Sequence, residues 1–282
     1  MSASLFVVQL FNGLQLGILL FLVAAGLTLV FGVMDFINLA HGVQYMLGAY
    51  LAVMAYGITG TFFLSVLVAL LASLLFGLLL ELLVFRHLYG RDHLEQVLAT
   101  FGIIMLLNQG VKLLWGAAPL NMPMPDLLSG SVPLMPGLRY PVYRFAIIAA
   151  GVLVAGGLYL FITSTRVGML VRAGATNAAM VSALGIDIKR LFTVVFGFGA
   201  MLAGFAGIMV APILSVEPGM GDQILILAFV VLIPIVANTM LSFVSWSGID
   251  TLQFIGRGVR DTQHVVVGAA QEGVHRRPPA RA

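Results

Sequence analysis

MSASLFVVQLFNGLQLGILLFLVAAGLTLVFGVM (1–34) contains no Asp, Glu, Lys or Arg, and after Asp35 a second charge-free run covers 36–80. A helix rises about 1.5 Å per residue and needs about 20 apolar residues to cross a bilayer core of about 30 Å. The first run therefore predicts one span. The second would reach about twice the core thickness, so it must break. Gly57-Ile58-Thr59-Gly60 is the expected place, because turn formers cluster there. Working outward from these runs, the pattern predicts spans at 5–33, 38–57, 62–85, 94–115, 142–163, 191–213 and 223–244.

The whole composition agrees with a polytopic all-α bundle in lipid. Of 282 residues, 61% are hydrophobic and 9% charged, against about a quarter charged in soluble domains. A mean hydropathy of +1.09 leaves too few polar groups to cover a water-facing surface of this size. With no cysteine, disulfide and thiolate chemistry are excluded. No basic residue precedes the first apolar run, so that run is expected to be a retained span and not a cleaved signal peptide. Segments 86–95 and 164–190 and the tail carry most of the bases, which places them on the cytoplasmic side and the N-terminus outside. Gly13 and Gly17, Gly48 and Ala52, and Ala203 and Gly207 have the small-xxx-small spacing that lets helix backbones approach in lipid.

Two segments hold candidate functional residues. In DFINLAHG (35–42), Asn38, His41 and Tyr45 would share one face if Asn38 opens a helix. Polar groups in lipid face protein or a water-filled cavity, so Asn38 and His41 are expected in the bundle interior or along a translocation path. The other reading is an interfacial loop in which Asn38 caps a helix and His41 bonds to a backbone carbonyl. The second segment, 164–190, is long for a connection between spans. Its part RAGATNAAMVSAL (172–184) predicts a short helix with Gly185 at the C-cap, which could lie on lipid or dock into a partner protein. Glu217 and Asp222 read as solvated turn residues, the other reading being acids that meet an ammonium group at the outer mouth, while Glu81 and Lys112 lie near span ends, where they can snorkel.

Several functions are excluded. No G-x-x-x-x-G-K-[ST] occurs, so the chain has no P-loop, and no G-x-S-x-G pattern suggests a hydrolase. Catalysis, cofactor, metal and nucleic acid are not expected. His41 has no second His or Cys nearby to make a metal site.

The runs FINLAHGVQYMLGAYLAV (36–53), RVGMLVRAGATNAAMVSALGIDIKRL (166–191) and PGMGDQILILAF (218–229) resemble LivH-type permeases, the branched-chain amino acid ABC importers. The resemblance covers about 5–230. It implies a permease subunit, not an enzyme, multi-pass in the inner (plasma) membrane, for branched-chain amino acids or related small amino acids and amides. It also implies ABC ATPase subunits, a second homologous permease subunit and a periplasmic substrate-binding protein as partners. Gly168, Arg172, Ala173, Asn177, Gly185 and Ile186 match the family's cytoplasmic loop, which carries a coupling helix; Ala178 and Ala179 lie in the same stretch.

After Val231 the chain departs from the family. LIPIVAN (232–238) stands where a Gly-rich GGxGSxxGA stretch is expected, and the usual C-terminal spans are altered or missing. The expected division is a permease domain over 1–245 and an atypical basic tail over 246–282. That tail is expected to be disordered and drawn to anionic lipid, because it lacks a run long enough to bury. A secondary transporter or channel, or a non-functional frameshifted remnant, are the alternative readings.

Overall fold

The computed structural model describes residues 3–135 and 138–231, all within the unit Met1–Leu232. The second half of the span expected at 223–244 and the whole tail lie outside the described residues.

Uninterrupted apolar sequence makes the first element a single helix, α1 (Ala3–Met34), whose 32 residues extend about 48 Å and so exceed the hydrocarbon core. Helix α2 (His41–Thr59) ends as expected, with Gly60 in the left-handed region at φ 65° and its N–H on the Tyr56 carbonyl at 2.9 Å. Next come α3 (Phe62–Leu83), a 3-10 turn (Phe85–His87) and α4 (His93–Trp115). The loop after α4 holds a feature that its Pro- and Gly-rich sequence did not suggest. Strands β1 (Ser131–Met135) and β2 (Leu138–Pro141) pair antiparallel, and a separate bridge joins Leu120 to Val216. Helices α5 (Val142–Ser164), α6 (Arg166–Ala183), α7 (Ile188–Val210) and α8, described over Met220–Val231, complete the order.

Five helices among the described residues are long and apolar enough to cross a membrane: α1, α3, α4, α5 and α7. The protein is thus a multi-pass membrane protein. Helix α2 matches an expected span but falls outside this set. Its sequence is more polar, and every residue over 41–50 is buried, so protein rather than lipid surrounds it. Helices α4 and α5 show the opposite pattern, with Leu98, Leu106, Leu113, Leu153 and Leu160 exposed. In lipid that exposure is the expected state of a peripheral helix.

Helix α7 is the central post. It is 72% buried over its most apolar stretch, against 11% for α5. Glycine makes this possible. A Cβ at Gly199 would stand 2.9 Å from the Gly26 carbonyl of α1, one at Gly204 would stand 2.6 Å from Ser73 Oγ of α3, and one at Gly207 would strike the Tyr45 carbonyl of α2. Gly48 meets Gly204 backbone to backbone. Two of the three small-residue pairs therefore sit at packed faces. Gly13 and Gly17 instead face open space. Aromatic pairs close the basic end, where Phe85 lies 5.1 Å from Phe36 and 4.8 Å from Phe196.

Replacing Gly207 with Val should cost about 3 kcal/mol or more, because core overpacking costs about 1–3 and here the obstacle is backbone. Gly13→Ala should be neutral. Thermal melting in detergent, followed by size-exclusion chromatography, reads both, and equal melting of the two variants would contradict the packing.

Candidate functional site

The chain between α1 and α2 is unwound. Asp35 takes a left-handed φ of 48° while its N–H still closes α1 on the Phe31 carbonyl at 2.9 Å. Phe36 is buried against Phe85 and Tyr89. The Ile37 N–H reaches Gln96 Oε1 at 3.4 Å, and the Gln96 amide donates to the Leu88 and Arg91 carbonyls at 3.3 and 3.1 Å. Buried Gln96 thus ties the unwound segment to the α3–α4 loop. Such backbone inside a membrane protein persists only where protein or water covers it.

Asn38 does not begin α2. It precedes it, with its carbonyl accepting from the His41 N–H at 3.4 Å, and Ala40 is the N-cap residue with no side-chain cap. The supposed face of Asn38, His41 and Tyr45 is therefore broken at its first member. Asn38 is fully buried, and neither of its side-chain polar atoms has a partner. His41 is also fully buried, and its Nε2 lies 3.1 Å from the Val23 carbonyl of α1. A carbonyl only accepts, so Nε2 carries the proton and Nδ1 is left as an acceptor toward the neighbouring Gln44 amide. Part of the interfacial-loop reading thus holds, since His41 does bond to a backbone carbonyl. Its cap by Asn38 does not. Gln44, a residue with no role in the sequence reading, is buried one turn further on, with its side-chain amide next to the His41 ring.

At the basic end, Glu81 corrects an expectation. It does not snorkel. It is fully buried, accepts from the Tyr89 hydroxyl at 2.9 Å and lies 3.7 Å from Arg86 Nε. Arg86 in turn donates to Thr193 Oγ1 of α7 at 3.0 Å. Burial, and then the Glu81 carboxylate, push the Tyr89 hydroxyl far above its usual range, so it stays a donor. Lys112 is exposed, as expected of it.

The segment 164–190 folds as α6 and its flanking turns. Thr165 caps α6 by accepting from the Gly168 N–H at 2.9 Å. A Cβ on Gly168 would strike the carbonyls of Phe161 and Ile162, so glycine lets α6 turn directly off α5. Arg172 reaches back and donates to the Ile162 carbonyl near the α5 C-terminus, where a cation is favoured. The short helix expected over 172–184 is instead a stretch of the longer α6 that Asn177 interrupts, so the second part of α6 starts after 177. Asn177 leaves helical geometry (φ −160°, ψ 92°) and accepts from the Met180 N–H at 2.9 Å, so its side chain restarts the helix. Gly185, at φ 84°, ends it with its N–H on the Ser182 carbonyl at 3.0 Å. Ala173 and Ala179 are exposed and Ala178 is half-buried. Ala178 and Ala179 join Tyr89, Ser182, Asp187 and Phe192 around a recess of about 570 Å³. Glu217 and Asp222 are exposed in the turn before and at the start of α8.

Residues 9–244 match the family described as the branched-chain amino acid transport system permease component. Among similar proteins is the high-affinity branched-chain amino acid transport system permease protein BraD of Pseudomonas aeruginosa. It is 32% identical, with 76% of this chain and 73% of that one covered. The corresponding permease protein LivH of Escherichia coli is 29% identical, over 72% of this chain and 70% of its own. A probable LivH of Methanocaldococcus jannaschii is 26% identical, over 75% and 68%. No solved structure matches the chain.

Tyr89→Phe removes the one hydrogen bond that the buried Glu81 carboxylate receives among the described residues and should cost about 1–3 kcal/mol. The melting temperature of the detergent-solubilised protein reads this directly. A melt equal to wild type would mean that the Tyr89–Glu81 bond does not hold the loop.

Proposed function

This chain belongs to the branched-chain amino acid transport system permease family, and from that premise we propose that it is the membrane-spanning permease subunit of an ATP-driven importer for branched-chain or related small amino acids. The chain lacks a P-loop, so ATP hydrolysis falls to separate ABC ATPase subunits. A second homologous permease subunit and a periplasmic substrate-binding protein complete the assembly in the inner membrane. Residues 1–245 form the permease domain in this reading, and 246–282 a basic tail against anionic lipid.

One observation carries the ATPase coupling. The capped second part of α6 leaves Met180 65% and Leu184 74% exposed at the basic end. Apolar side chains on a short, doubly capped helix at that end suit insertion into a protein cleft. Asn177 and Gly185 hold this part at its two ends, Ala178 and Ala179 keep its surface small, and the part before it, with Arg172 and Ala173, is tied to α5 by Arg172. The translocation path runs beside Asn38 and His41, both fully buried and both with polar atoms that lack a hydrogen-bond partner among the described residues.

Gly185→Ile places a β-branched residue at positive φ and removes the helix stop. ATP-dependent leucine uptake in proteoliposomes holding all subunits should fall at least about tenfold, since cap loss and backbone strain together cost about 1–3 kcal/mol. Asn177→Ala should give a smaller loss of the same kind. Co-purification of the ATPase with the wild type is the companion measurement. Unchanged uptake and unchanged ATPase association in Gly185→Ile would overturn the coupling assignment.

A further inference from the structure

Helices α3 and α4 follow each other in the chain, yet they hardly touch. The reason lies in α3. Its small residues are taken up by α7, where a Cβ on Gly77 would strike Ala200 and Ser73 stands against Gly204. That packing turns Leu75 and Leu79 away from the core, and they are 59% and 54% exposed. Helix α4 passes at a distance and is 17% buried over its most apolar stretch. Between the two helices a groove of about 410 Å³ is left open among the described residues. Phe76 and Leu79 of α3 form one wall, Leu107 and Trp115 of α4 the other, and Leu47 and Leu51 of α2 the floor. A Cβ on Gly110, in the α4 wall, would meet nothing within 4 Å.

Three features fix what fills this groove. None of its lining side chains is charged, and an apolar cavity stays dry. Leu75, Leu79 and Leu114 both line it and are exposed, so it is continuous with the lipid-facing surface of two membrane-crossing helices. The medium at its mouth is therefore hydrocarbon. It is also too small for a helix. The groove follows α3 over 72–79 and α4 over 107–115, and a helix about 10 Å across would take up roughly 800 Å³ over that length. An empty void forfeits dispersion contacts along its walls, and a flexible methylene chain restores them.

We propose that the α3–α4 groove is a binding site for one acyl chain of a membrane phospholipid. The chain packs on α2 at the floor and replaces the contacts that α3 and α4 do not make with each other. It thereby holds α4 to the bundle. Chains on the outer faces of α4 and α5 meet protein on one side, whereas this one meets it on three. The site rests on the membrane placement of α3 and α4 and goes beyond the transport reading, so its test does not depend on uptake.

The test uses the full chain purified with its partner subunits in nanodiscs of phosphatidylethanolamine and phosphatidylglycerol. The probe is a phosphatidylethanolamine with a diazirine in its acyl chain, and labelled residues are mapped by mass spectrometry after illumination. Leu153 of α5, 75% exposed, is the reference for lipid outside the groove. Leu47 is 8% exposed, and it and Leu51 at the floor should be labelled as well. Gly110→Leu fills the groove, and its Cβ has room. Labelling at the floor should then be lost while labelling at Leu153 stays unchanged. Ala72→Phe fills the same groove from the α3 wall and should act alike. A wild-type floor without label beside a labelled Leu153 would overturn the site, and a partner-subunit helix lying in the groove gives this result. Floor labelling that survives in either folded variant would overturn it too. The wild-type pattern decides even if both variants misfold.

Discussion

The approach of three helices to α7 is the constraint on which the other arrangements depend. Lipid tails are as apolar as leucine, so no hydrophobic force drives helices together inside a bilayer, and packing must do it. Packing improves as backbones come closer. Gly199, Gly204 and Gly207 stand in turn against Gly26, against Gly48 and Ser73, and against the Tyr45 carbonyl. One face of α7 after another thus accepts α1, α3 and α2 at distances that no side chain would allow. The partners are themselves glycines at two of these contacts, so the closeness is mutual.

Central placement of α7 has a consequence for α2. A helix whose first ten residues are all enclosed by protein need not be apolar there to satisfy the bilayer. Helix α2 can therefore carry His41 and Gln44 in its first turns, and the chain before it can carry Asn38 in an unwound stretch. The same tight packing keeps water out of that stretch. Polar atoms are thus held in a dry interior without partners, an arrangement that costs free energy at each atom. Such atoms gather around the start of α2, and others stand at Gln15, Tyr50, Ser73 and Asn108. At the basic end Glu81, Arg86, Tyr89, Thr193 and Gln96 are linked to one another or to carbonyls, while Glu81 Oε2 and Arg86 Nε have no hydrogen-bond partner among the described residues.

Much of this was legible before any coordinates. Charge-free runs locate the spans, because lipid enforces apolarity over a known length. Gly60 and Gly185 announce their helix ends, because positive φ is strained for other residues. What escaped has a common physical cause: it depends on which neighbour lies across the gap. Spacing alone could not tell that Gly48 and Gly207 would meet α7 and α2 while Gly13 and Gly17 would meet nothing. Glu81 sits at a span end, where a carboxylate usually turns to water, and only the return of Tyr89 and Arg86 over it explains its burial. Asn177 was legible as an N-cap type, yet the Ala-rich sequence around it reads as continuous helix. The hairpin over 131–141 depends on pairing that a Pro-rich loop does not advertise.

Two asparagines show how the same residue type is used in opposite ways. Asn177 is exposed, and its side chain bonds to the Met180 amide, which is the ordinary use of asparagine at a helix start. Asn38 also precedes a helix by a few residues, but Ala40 takes the cap position and the Asn38 side chain bonds to nothing in the described chain. If Asn38 served only to start α2, moving it two residues along would cap the helix and satisfy two groups at once. Its placement leaves both the helix amides and its own amide unpaired. A fold that gained only stability from this position would have no reason to keep polar atoms there, because a buried apolar side chain of similar size would avoid the desolvation cost. What separates the two asparagines is therefore their surroundings: water is within reach of exposed Asn177, whereas protein closes over Asn38.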